Sequence, residues 1–483
     1  MPIKLYGAVD RALCRLCPCF CNTGIQAGQR LHLNLDQGVI RLVAIKNVAF
    51  TTFGCRLNQY DTETVRTLLE GTGRWRTVRN QADAQVVVVN TCSVTARADA
   101  TARKAIRRIH KDHPQARIVV TGCYAQRAPQ DLAQLAGVSL VVGAADRVQV
   151  AAKLEDLRED HVEVMVSPIE QATTFLDVPI TEMMEHSRAY VKVQEGCDEQ
   201  CSFCIVPQTR GRSRSRAADS VLSQARTLVD AGYLELVLTG VHIGDYGLDL
   251  EGGKRRLASL LRDLLGIPGL ERLRLSSIEP ASITPEIIEL MASEERFARH
   301  FHIPFQSASD GILQRMRRRY RAQELYALVH EIADRIPGCG IGCDVICGFP
   351  GEDDEDFQRT FDALSSLPVH YVHPFSYSVR PGSEAEAFGD QVPPDVKKRR
   401  VQALKRLMRD KHREFRQQHV GQMMPVLLEP GRHGGQSRLG GWTDNYLRVD
   451  MGVGATDVAI RPVRITGLSE QGLEGRIEDV VAA

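Results

Sequence analysis

Long apolar runs are missing from this sequence of 483 residues. None approaches the roughly 18–20 consecutive apolar residues that a transmembrane helix requires, so we expect no membrane association. The first residues also lack the uninterrupted apolar segment of a secretion signal. We therefore expect a cytoplasmic protein.

The sequence has neither a strong net charge nor an even number of cysteines. The formal net charge is +1, so any preference for a polyanion must come from local groups of basic residues. Thirteen cysteines is an odd number in a long chain, which favours free thiols or metal ligands over a disulfide framework. The length and the 43% of hydrophobic residues predict a soluble protein with several domains.

Three of the cysteines form a C-x3-C-x2-C pattern at Cys197, Cys201 and Cys204, directly after the strand-like stretch 189–194. Thiolate ligands select iron–sulfur clusters or zinc. A four-iron cluster has four corners, so three cysteines leave one iron for a ligand from outside the chain, whereas structural zinc takes four protein ligands. Buried cysteines that pack as apolar side chains are a third interpretation, but the residues between these three are polar. The pattern favours a cluster.

This spacing resembles that of the radical S-adenosylmethionine superfamily. The resemblance implies that Cys197, Cys201 and Cys204 hold a [4Fe-4S] cluster. It also implies that S-adenosylmethionine binds the fourth iron through its amino and carboxylate groups.

A second group of cysteines follows three separate predicted strands. From Asn47 the sequence alternates buried strands with helices, which predicts a parallel sheet covered on both faces. Cys55, Cys92 and Cys123 each follow the carboxyl end of a strand, and these ends meet at one edge of such a sheet. Three isolated core thiols would not explain why each lies at a strand end. A second three-thiolate cluster explains it directly.

The segments 52–63, 89–95 and 120–126 are similar to the N-terminal domain of the methylthiotransferases, and the resemblance extends from about residue 46 to the C-terminus. It implies that Cys55, Cys92 and Cys123 hold an auxiliary four-iron cluster that takes part in sulfur insertion.

The central part of the chain repeats strand and helix six times. Six units are too few for a closed eight-stranded barrel, and they suit an open, partial barrel with its active site at the carboxyl ends of the strands. The resemblance implies that Gly240, Glu279 and Gln306 contact S-adenosylmethionine. The predicted strands are 189–194, Leu234–Thr239, Arg272–Ser276, His300–Gln306, Gly340–Cys347 and Tyr371–Tyr377.

Cys339, Cys343 and Cys347 are spaced by four residues, in a predicted strand and directly before it. An extended strand rises about 3.3 Å per residue, so the outer two would lie about 26 Å apart and could not close around a small cluster. We expect them to pack in the core. His242 and His373 stand alone in the sequence, and we expect packing or satisfied polar roles for both.

Basic residues are concentrated near the C-terminal end of the central region. The segment 397–416 contains ten Lys or Arg residues, and two further runs lie at 210–216 and 315–319. A solvated helix face is the ordinary interpretation of such a segment, but three basic runs favour a polyanionic partner. From Gly421 the pattern changes to short strands and turns, which predicts a small β-barrel. This segment resembles the TRAM domain, an RNA-binding module of the methylthiotransferases. The resemblance implies tRNA as the partner.

The sequence thus predicts an α/β protein with four parts. Cys14, Cys17, Cys19 and Cys21 lie in the first part, where a zinc or cluster site remains a weaker alternative to disorder. The parts are a disordered extension over 1–45, an N-terminal parallel αβα domain over 46–165, a partial (βα)6 radical-SAM barrel over 185–415 and a TRAM-like β-barrel over 420–483.

The resemblance implies a tRNA methylthiotransferase with two [4Fe-4S] clusters. The cluster on Cys197, Cys201 and Cys204 would pass an electron to S-adenosylmethionine, and the resulting 5′-deoxyadenosyl radical would remove hydrogen from the substrate. The auxiliary cluster would present the sulfur, which a second S-adenosylmethionine methylates. A small electron donor such as flavodoxin or ferredoxin would supply the electrons.

Within this family, the segments 54–58 and 211–216 are most similar to the branch that acts on N6-threonylcarbamoyladenosine beside the tRNA anticodon. Arg56, or the arginine run, would pair with the carboxylate of the threonyl group. The alternatives are methylthiolation of isopentenyladenosine in tRNA or of a ribosomal-protein aspartate. A non-enzymatic iron–sulfur protein that binds RNA as a redox sensor is a further alternative.

Overall fold

Three folded units follow one another along the chain in the computed structural model. The residues that the structure describes are 29–34, 39–157, 161–184, 187–250, 256–433, 436–454, 457–470 and 472–478. In these ranges, none of the helices combines the length and the apolar character that crossing a membrane requires.

A two-stranded antiparallel ribbon precedes the first unit. Its strands are β1 (Gln29–Asn34) and β2 (Val39–Ala44), with Gln29 opposite Ala44. The prediction of a disordered extension over 1–45 is therefore corrected for these two strands. The first strand alternates polar and apolar residues, and the second is rich in β-branched and other apolar residues, both of which are typical of strands. The cysteines at 14, 17, 19 and 21 lie outside the described residues.

The first unit is a six-stranded parallel sheet with the strand order β4-β3-β5-β6-β7-β8. Apolar cores cover both faces of the sheet, as the continuous valine run 86–89 requires. The edge strands β4 and β8 were not predicted, because three residues are too few to show a period. The elements are β3 (Lys46–Thr52), α1 (Arg56–Gly71), β4 (Trp75–Thr77), β5 (Val86–Thr91), α2 (Ala96–Asp112), β6 (Arg117–Gly122), α3 (Cys123–Arg127), α4 (Pro129–Ala133), β7 (Val138–Val142), α5 (Val150–Lys153) and β8 (Glu163–Met165).

The second unit contains the six predicted parallel strands in two sheets of three, ordered β13-β12-β9 and β14-β15-β16. Parallel bridges from Leu273 to Phe297 and from Ser277 to His302 join the two halves, so the predicted open barrel is confirmed. The elements are β9 (Ala189–Lys192), β10 (Gln194–Glu195), α6 (Val206–Arg210), β11 (Arg214–Ser215), α7 (Ala218–Asp230), β12 (Glu235–Thr239), α8 (Leu257–Leu265), β13 (Arg272–Leu275), α9 (Pro285–Ser293), β14 (His300–Gln306), α10 (Asp310–Arg315), α11 (Ala322–Arg335), β15 (Gly340–Cys347), α12 (Asp354–Ser366), β16 (Tyr371–Ser376) and α13 (Pro394–Gln417).

The cysteines of β15 and of the residues before it lie in the apolar core of this unit. Cys339, Cys343 and Cys347 are all buried there, as the packing interpretation predicts. A free cysteine behaves in such surroundings as a small apolar side chain.

The third unit is a closed five-stranded barrel with the order β17-β18-β19-β21-β20. It encloses a small apolar core that includes Val426, Val449 and Val463. The predicted small β-barrel is present, and Tyr446 lies in the turn that precedes its strand Arg448–Val453. The strands are β17 (Met423–His433), β18 (Gln436–Thr443), β19 (Arg448–Val453), β20 (Ile460–Leu468) and β21 (Leu473–Ile477).

The first unit contacts both edges of the open barrel. Helix α1 packs beside β9, the first strand of the barrel. At the other edge, the backbone nitrogen of Ala96 donates to the Ser378 hydroxyl at 3.0 Å, just beyond the last strand, β16. The sheet domain therefore spans the gap that six strands leave open.

Candidate metal centres

The loop that carries Cys197, Cys201 and Cys204 begins directly after β10, at the carboxyl end of β9. Gly196 has a φ of 75°, and a side chain at this position would meet the carbonyl oxygen of Arg212 at 1.9 Å. Only glycine fits there, because its backbone tolerates a positive φ and it carries no Cβ. The loop is thereby folded tightly against the residues that precede β11.

Nitrogen donors face all three thiols of this loop. The backbone nitrogens of Glu199 and Val206 lie 3.4 Å from the sulfurs of Cys197 and Cys204, respectively. Arg318 Nη1 lies 3.1 Å from the Cys201 sulfur. These donors stabilise negative charge on sulfur, as a cluster of thiolates requires.

Burial opposes the thiolate form in this loop when no metal is bound. It raises the pKa of Cys197 and of Cys204 to about 12. Thiolates at these positions therefore depend on metal coordination, which binds the deprotonated sulfur.

The described cysteines are free thiols, and they are not gathered as the ligands of one metal ion are. All nine cysteines in the described ranges are free thiols. Among those same residues, no three His, Cys, Asp or Glu side chains come as close together as the ligands of one ion. In a four-iron cluster each cysteine binds a different iron, so its ligands stand farther apart.

Two of the three predicted S-adenosylmethionine contacts lie beside this loop. A Cβ at Gly240 would lie 3.1 Å from the side-chain oxygen of Gln194, whose nitrogen donates to the Gly196 carbonyl at 2.7 Å. Glu279 forms an ion pair with Arg318. Gln306 ends β14 with a φ of 62°, a left-handed conformation that non-glycine residues adopt mainly where function maintains it. Their role as ligand contacts stays a prediction.

Arg318 does not have the role that its basic run predicts. The prediction that the run 315–319 belongs to a polyanion-binding surface is wrong for this residue. Instead, the Arg318 side chain is only 6% exposed and connects Glu279 to the Cys201 sulfur. No sequence signal separates it from its neighbours Arg317 and Arg319, because only the tertiary fold turns it inward.

The second group of thiols lies at one rim of the parallel sheet. Strands β3, β5 and β6 are adjacent in the sheet, and Thr52, Asn90 and Thr121 lie side by side near their carboxyl ends. Cys55, Cys92 and Cys123 each follow within three residues of these positions. Since neighbouring strands are about 4.8 Å apart, the three residues lie within roughly 10 Å along the rim.

Close backbone packing brings these thiols together. A Cβ at Gly54 would lie 2.7 Å from the Cβ of Cys92 and 3.1 Å from its sulfur, so the residue before Cys55 rests against Cys92. Burial, together with smaller contributions from Cys123 and Cys55, raises the pKa of Cys92 to about 12. Cys55 is exposed, whereas Cys92 and Cys123 are buried.

Helix α6 connects the two groups of thiols. It begins two residues after Cys204, and it packs against α3, whose first residue is Cys123. Its last residue, Arg210, is buried and has a pKa raised well above its usual range, although burial alone would lower it. The charges that raise it include Cys123, Asp61 and Cys55. A helix of five residues rises only about 7 Å, so the two thiol groups lie close to each other.

A buried network of five charged residues joins the sheet domain to the barrel beside α6. Lys192 Nζ lies 2.8 Å from Asp61 and 3.0 Å from Glu195. Arg210 lies 3.0 Å from Asp61 and 2.8 Å from Glu195. Arg147 also pairs with both carboxylates. All five side chains are at most 4% exposed.

This network carries an excess positive charge next to the rim of Cys55 and Cys123. Three cations face two carboxylates, which leaves one positive charge unbalanced. The three cations hold the pKa of Asp61 below its usual range despite the opposing effect of burial. The excess charge complements a cluster held by three thiolates, because such a group is anionic.

Arg380 holds the sheet domain at the opposite edge of the barrel. Its Nη2 lies 2.6 Å from Asp99 and 3.1 Å from the Ser93 hydroxyl, one residue after Cys92. Arg127 pairs with the same carboxylate at 2.8 Å. Neither arginine had a signal in the sequence, since isolated arginines are usually solvent-exposed.

Comparisons with known proteins agree with this arrangement. Residues 47–143 match the model of the uncharacterized protein family UPF0004, and residues 191–364 match that of the radical SAM superfamily. A threonylcarbamoyladenosine tRNA methylthiotransferase MtaB from Bacillus subtilis is 38% identical over 83% of this chain and 89% of its own length. The chain belongs to the radical S-adenosylmethionine methylthiotransferase family.

Other members of this methylthiotransferase family are also similar to the chain. The MtaB protein of Aquifex aeolicus is 38% identical over 83% of this chain and 96% of its own. A tRNA-2-methylthio-N(6)-dimethylallyladenosine synthase from Acidothermus cellulolyticus is 35% identical over 79% of this chain and 77% of its own. The chain is thus a transferase of a family that uses S-adenosylmethionine and a [4Fe-4S] cluster.

A solved structure shows the same fold at low sequence identity. The radical S-adenosylmethionine methyltransferase TsrM from Kitasatospora setae aligns with a TM-score of 0.52 and 18% identity. The alignment covers 81% of this chain and 79% of TsrM.

We expect Arg210→Met to lower the free energy of unfolding by about 3 kcal/mol, because Glu195 and Asn58 each lose a buried, charged hydrogen-bond donor. The matched control is Arg212→Met, whose side chain is 82% exposed and pairs with Asp198 at the surface. That pair is worth about 1 kcal/mol or less. Urea denaturation followed by tryptophan fluorescence measures both, and equal losses would contradict the assigned role of the network.

Proposed function

We propose that the protein inserts a methylthio group at C2 of N6-threonylcarbamoyladenosine next to the anticodon of tRNA. The observation that carries this proposal is the juxtaposition of two three-thiol groups across the short helix α6. One group suits the cluster that S-adenosylmethionine completes, and the other suits an auxiliary sulfur-bearing cluster. A single-cluster radical enzyme would not need the second group.

The two clusters and S-adenosylmethionine together supply the radical and the sulfur. The chain itself holds these groups at a fixed separation and screens them from water. Gly240, Glu279 and Gln306 surround the S-adenosylmethionine side, with Arg318 aligning Glu279 and Cys201. On the sulfur side, Cys55 is exposed toward the substrate. The sheet domain closes the open edge of the barrel. It thereby excludes solvent from the space between the two thiol groups, which is the substrate chamber.

The threonylcarbamoyl branch is supported by the relatives and by Arg56. MtaB proteins reach 38% identity, compared with 35% for a dimethylallyladenosine synthase. Arg56 follows Cys55 directly and forms no ion pair with any described residue, so its charge is free to meet the carboxylate of the threonyl group. Isopentenyladenosine, which lacks that carboxylate, is the second candidate substrate, because its synthases are nearly as similar.

Binding of tRNA is supported by one face of α13. Its exposed cations lie three, four or seven residues apart, so they form one stripe along the helix. They form no ion pair with any residue in the described part of the chain. These residues are Lys398, Arg399, Lys405, Arg406, Arg409 and Arg413. Unpaired cations in a row match the phosphates of an RNA backbone.

The remaining partners follow from this chemistry. Cleavage of S-adenosylmethionine needs one electron, which a small electron donor such as flavodoxin or ferredoxin would supply. Since the proposed substrate is tRNA, we place the protein in the cytoplasm.

We expect Cys201→Ala to abolish formation of 5′-deoxyadenosine, because one cluster ligand is lost on the S-adenosylmethionine side. Cys92→Ala should leave 5′-deoxyadenosine formation intact but yield no methylthiolated nucleoside. Both are measured anaerobically by mass spectrometry of the nucleosides, with Cys343→Ala as the control in the core. Methylthiolation by Cys92→Ala would contradict the assigned roles, and so would 5′-deoxyadenosine from Cys201→Ala.

Arg56→Ala should lower kcat/KM for tRNA that carries N6-threonylcarbamoyladenosine by roughly one hundredfold, because the substrate carboxylate loses a charged partner. Arg56→Lys keeps the charge and should recover part of the activity. Mass spectrometry of the digested tRNA measures the product. Full turnover by Arg56→Ala would remove Arg56 from substrate recognition.

The double variant Lys405→Gln/Arg409→Gln should weaken tRNA binding and make it less sensitive to salt. Each lost phosphate contact reduces the slope of log K against log salt by about 0.9. The control is Arg226→Gln/Arg262→Gln, on the outer helices α7 and α8. Fluorescence anisotropy at several salt concentrations measures the slope, and an unchanged slope for the α13 variant would exclude this face as the contact.

A further inference from the structure

The C-terminal barrel docks at the amino-terminal ends of the central strands, on the side away from the thiols. Arg272, the first residue of β13, donates to the carbonyl oxygen of Trp442 at 3.1 Å. Arg274 donates to the carbonyl oxygen of Asp444 at 2.8 Å. Both guanidiniums also pair with the buried Glu235, at 3.2 and 2.7 Å. The docking is therefore polar and geometrically specific.

The turn between β18 and β19 packs tightly against the amino-terminal end of the central barrel. A Cβ at Gly340 would lie 2.2 Å from the carbonyl oxygen of Asn445, so the turn leaves no room for a side chain there. The Asn445 side chain donates to the Gly338 carbonyl at 3.0 Å. The next residue, Tyr446, has a φ of 69°, which is strained for a residue with a side chain. Such strain is retained where the position of a side chain matters.

The strained backbone directs the ring of Tyr446 into the barrel. The ring stacks on Trp442 with centroids 4.8 Å apart and lies 4.7 Å from the ring of His300. The guanidinium of Arg274 lies over it at 5.1 Å. The hydroxyl accepts a hydrogen bond of 2.9 Å from Nη2 of Arg56, whose guanidinium lies 5.6 Å from the ring centroid.

This hydrogen bond connects residues of the first and third units through the interior of the second. Arg56 belongs to the first turn of α1 and follows Cys55 directly. Among the described residues, its side chain has no carboxylate partner, and the Tyr446 hydroxyl is its hydrogen-bond acceptor. The direction of the Arg56 side chain therefore depends on a residue 390 positions away.

We propose that Tyr446 of the C-terminal barrel is a positioning residue of the substrate chamber, which aims Arg56 at the substrate group beside Cys55. The C-terminal barrel then has a second role besides contacting RNA. It completes the substrate chamber from the side of the amino-terminal ends of the central strands. This inference rests on the proposed function, since it takes Arg56 as the residue that meets the threonyl carboxylate.

A double-mutant cycle tests the proposal in the full-length protein with its clusters reconstituted. Tyr446→Phe keeps the ring and removes only the hydroxyl. We expect it to lower kcat roughly tenfold on tRNA with N6-threonylcarbamoyladenosine, while the Kd for tRNA stays unchanged. The double variant Arg56→Ala/Tyr446→Phe should be no worse than Arg56→Ala alone. Tyr326→Phe, which removes a hydroxyl from the outer helix α11, should behave as wild type.

The iron content and the circular dichroism spectrum should be the same in all these proteins, which shows that they are folded and loaded. Wild-type kcat for Tyr446→Phe would overturn the proposal, and so would losses that multiply in the double variant. A weaker Kd with unchanged kcat would also overturn it, because it would assign Tyr446 to RNA binding alone.

A second measurement separates this proposal from the proposed function. If the wild-type protein does not modify this tRNA, the substrate assignment fails. The contact is then tested by 19F NMR with 3-fluorotyrosine at position 446. Arg56→Ala should shift that resonance, whereas Arg103→Ala, on the outer side of the sheet domain, should not. If the resonance at position 446 does not shift in Arg56→Ala, the positioning role is overturned.

Discussion

The arrangement of the whole molecule depends on the buried ion network between the sheet domain and the barrel. Asp61 and Glu195 belong to different units, and three cations lie between and around them. Removing five charges from water is costly, and mutual pairing offsets this cost only when every partner is in place. The network therefore defines one relative position of the two units. That position sets the separation of the two thiol groups.

Chemistry explains why such a network lies here and an apolar contact does not. The residues next to it are the ends of α6 and the rim with Cys55 and Cys123, where a group of thiolates would gather negative charge. An apolar interface could hold the domains together but could not balance that charge. Glu195 also begins the loop of the first thiol group, so one cluster of side chains supports both sites.

Much of the fold could be predicted from the sequence because its signals are local. Each of the six barrel strands is a short segment in which apolar residues recur, and Cys55, Cys92 and Cys123 each follow a strand of the sheet domain. The arginines could not be predicted in the same way. Arg210, Arg318 and Arg212 look alike in sequence, yet the first two are buried against the thiol groups and the third faces solvent. Burial of an arginine depends on partners that are remote in sequence, such as Asp61 for Arg210 and Glu279 for Arg318.

The position of the C-terminal barrel constrains the path of an RNA substrate along the protein. This barrel contacts the amino-terminal ends of the central strands, whereas the thiol groups lie at the carboxyl ends. Helix α13 runs between these two levels for 24 residues, or roughly 36 Å. An RNA that reaches the chamber while held by the C-terminal barrel must follow the outside of the molecule over this distance. The exposed cations of α13 lie along that path.

The central claim is that two iron–sulfur sites face each other at short range across α6. Electron paramagnetic resonance of the reconstituted and reduced protein tests it most directly. Close sites couple magnetically, so the spectrum of the wild-type protein should differ from the sum of the spectra of two variants that each lack one set of three cysteines. A wild-type spectrum equal to that sum would show that the sites are far apart, and a variant without Cys55, Cys92 and Cys123 that keeps both signals would contradict the second site altogether.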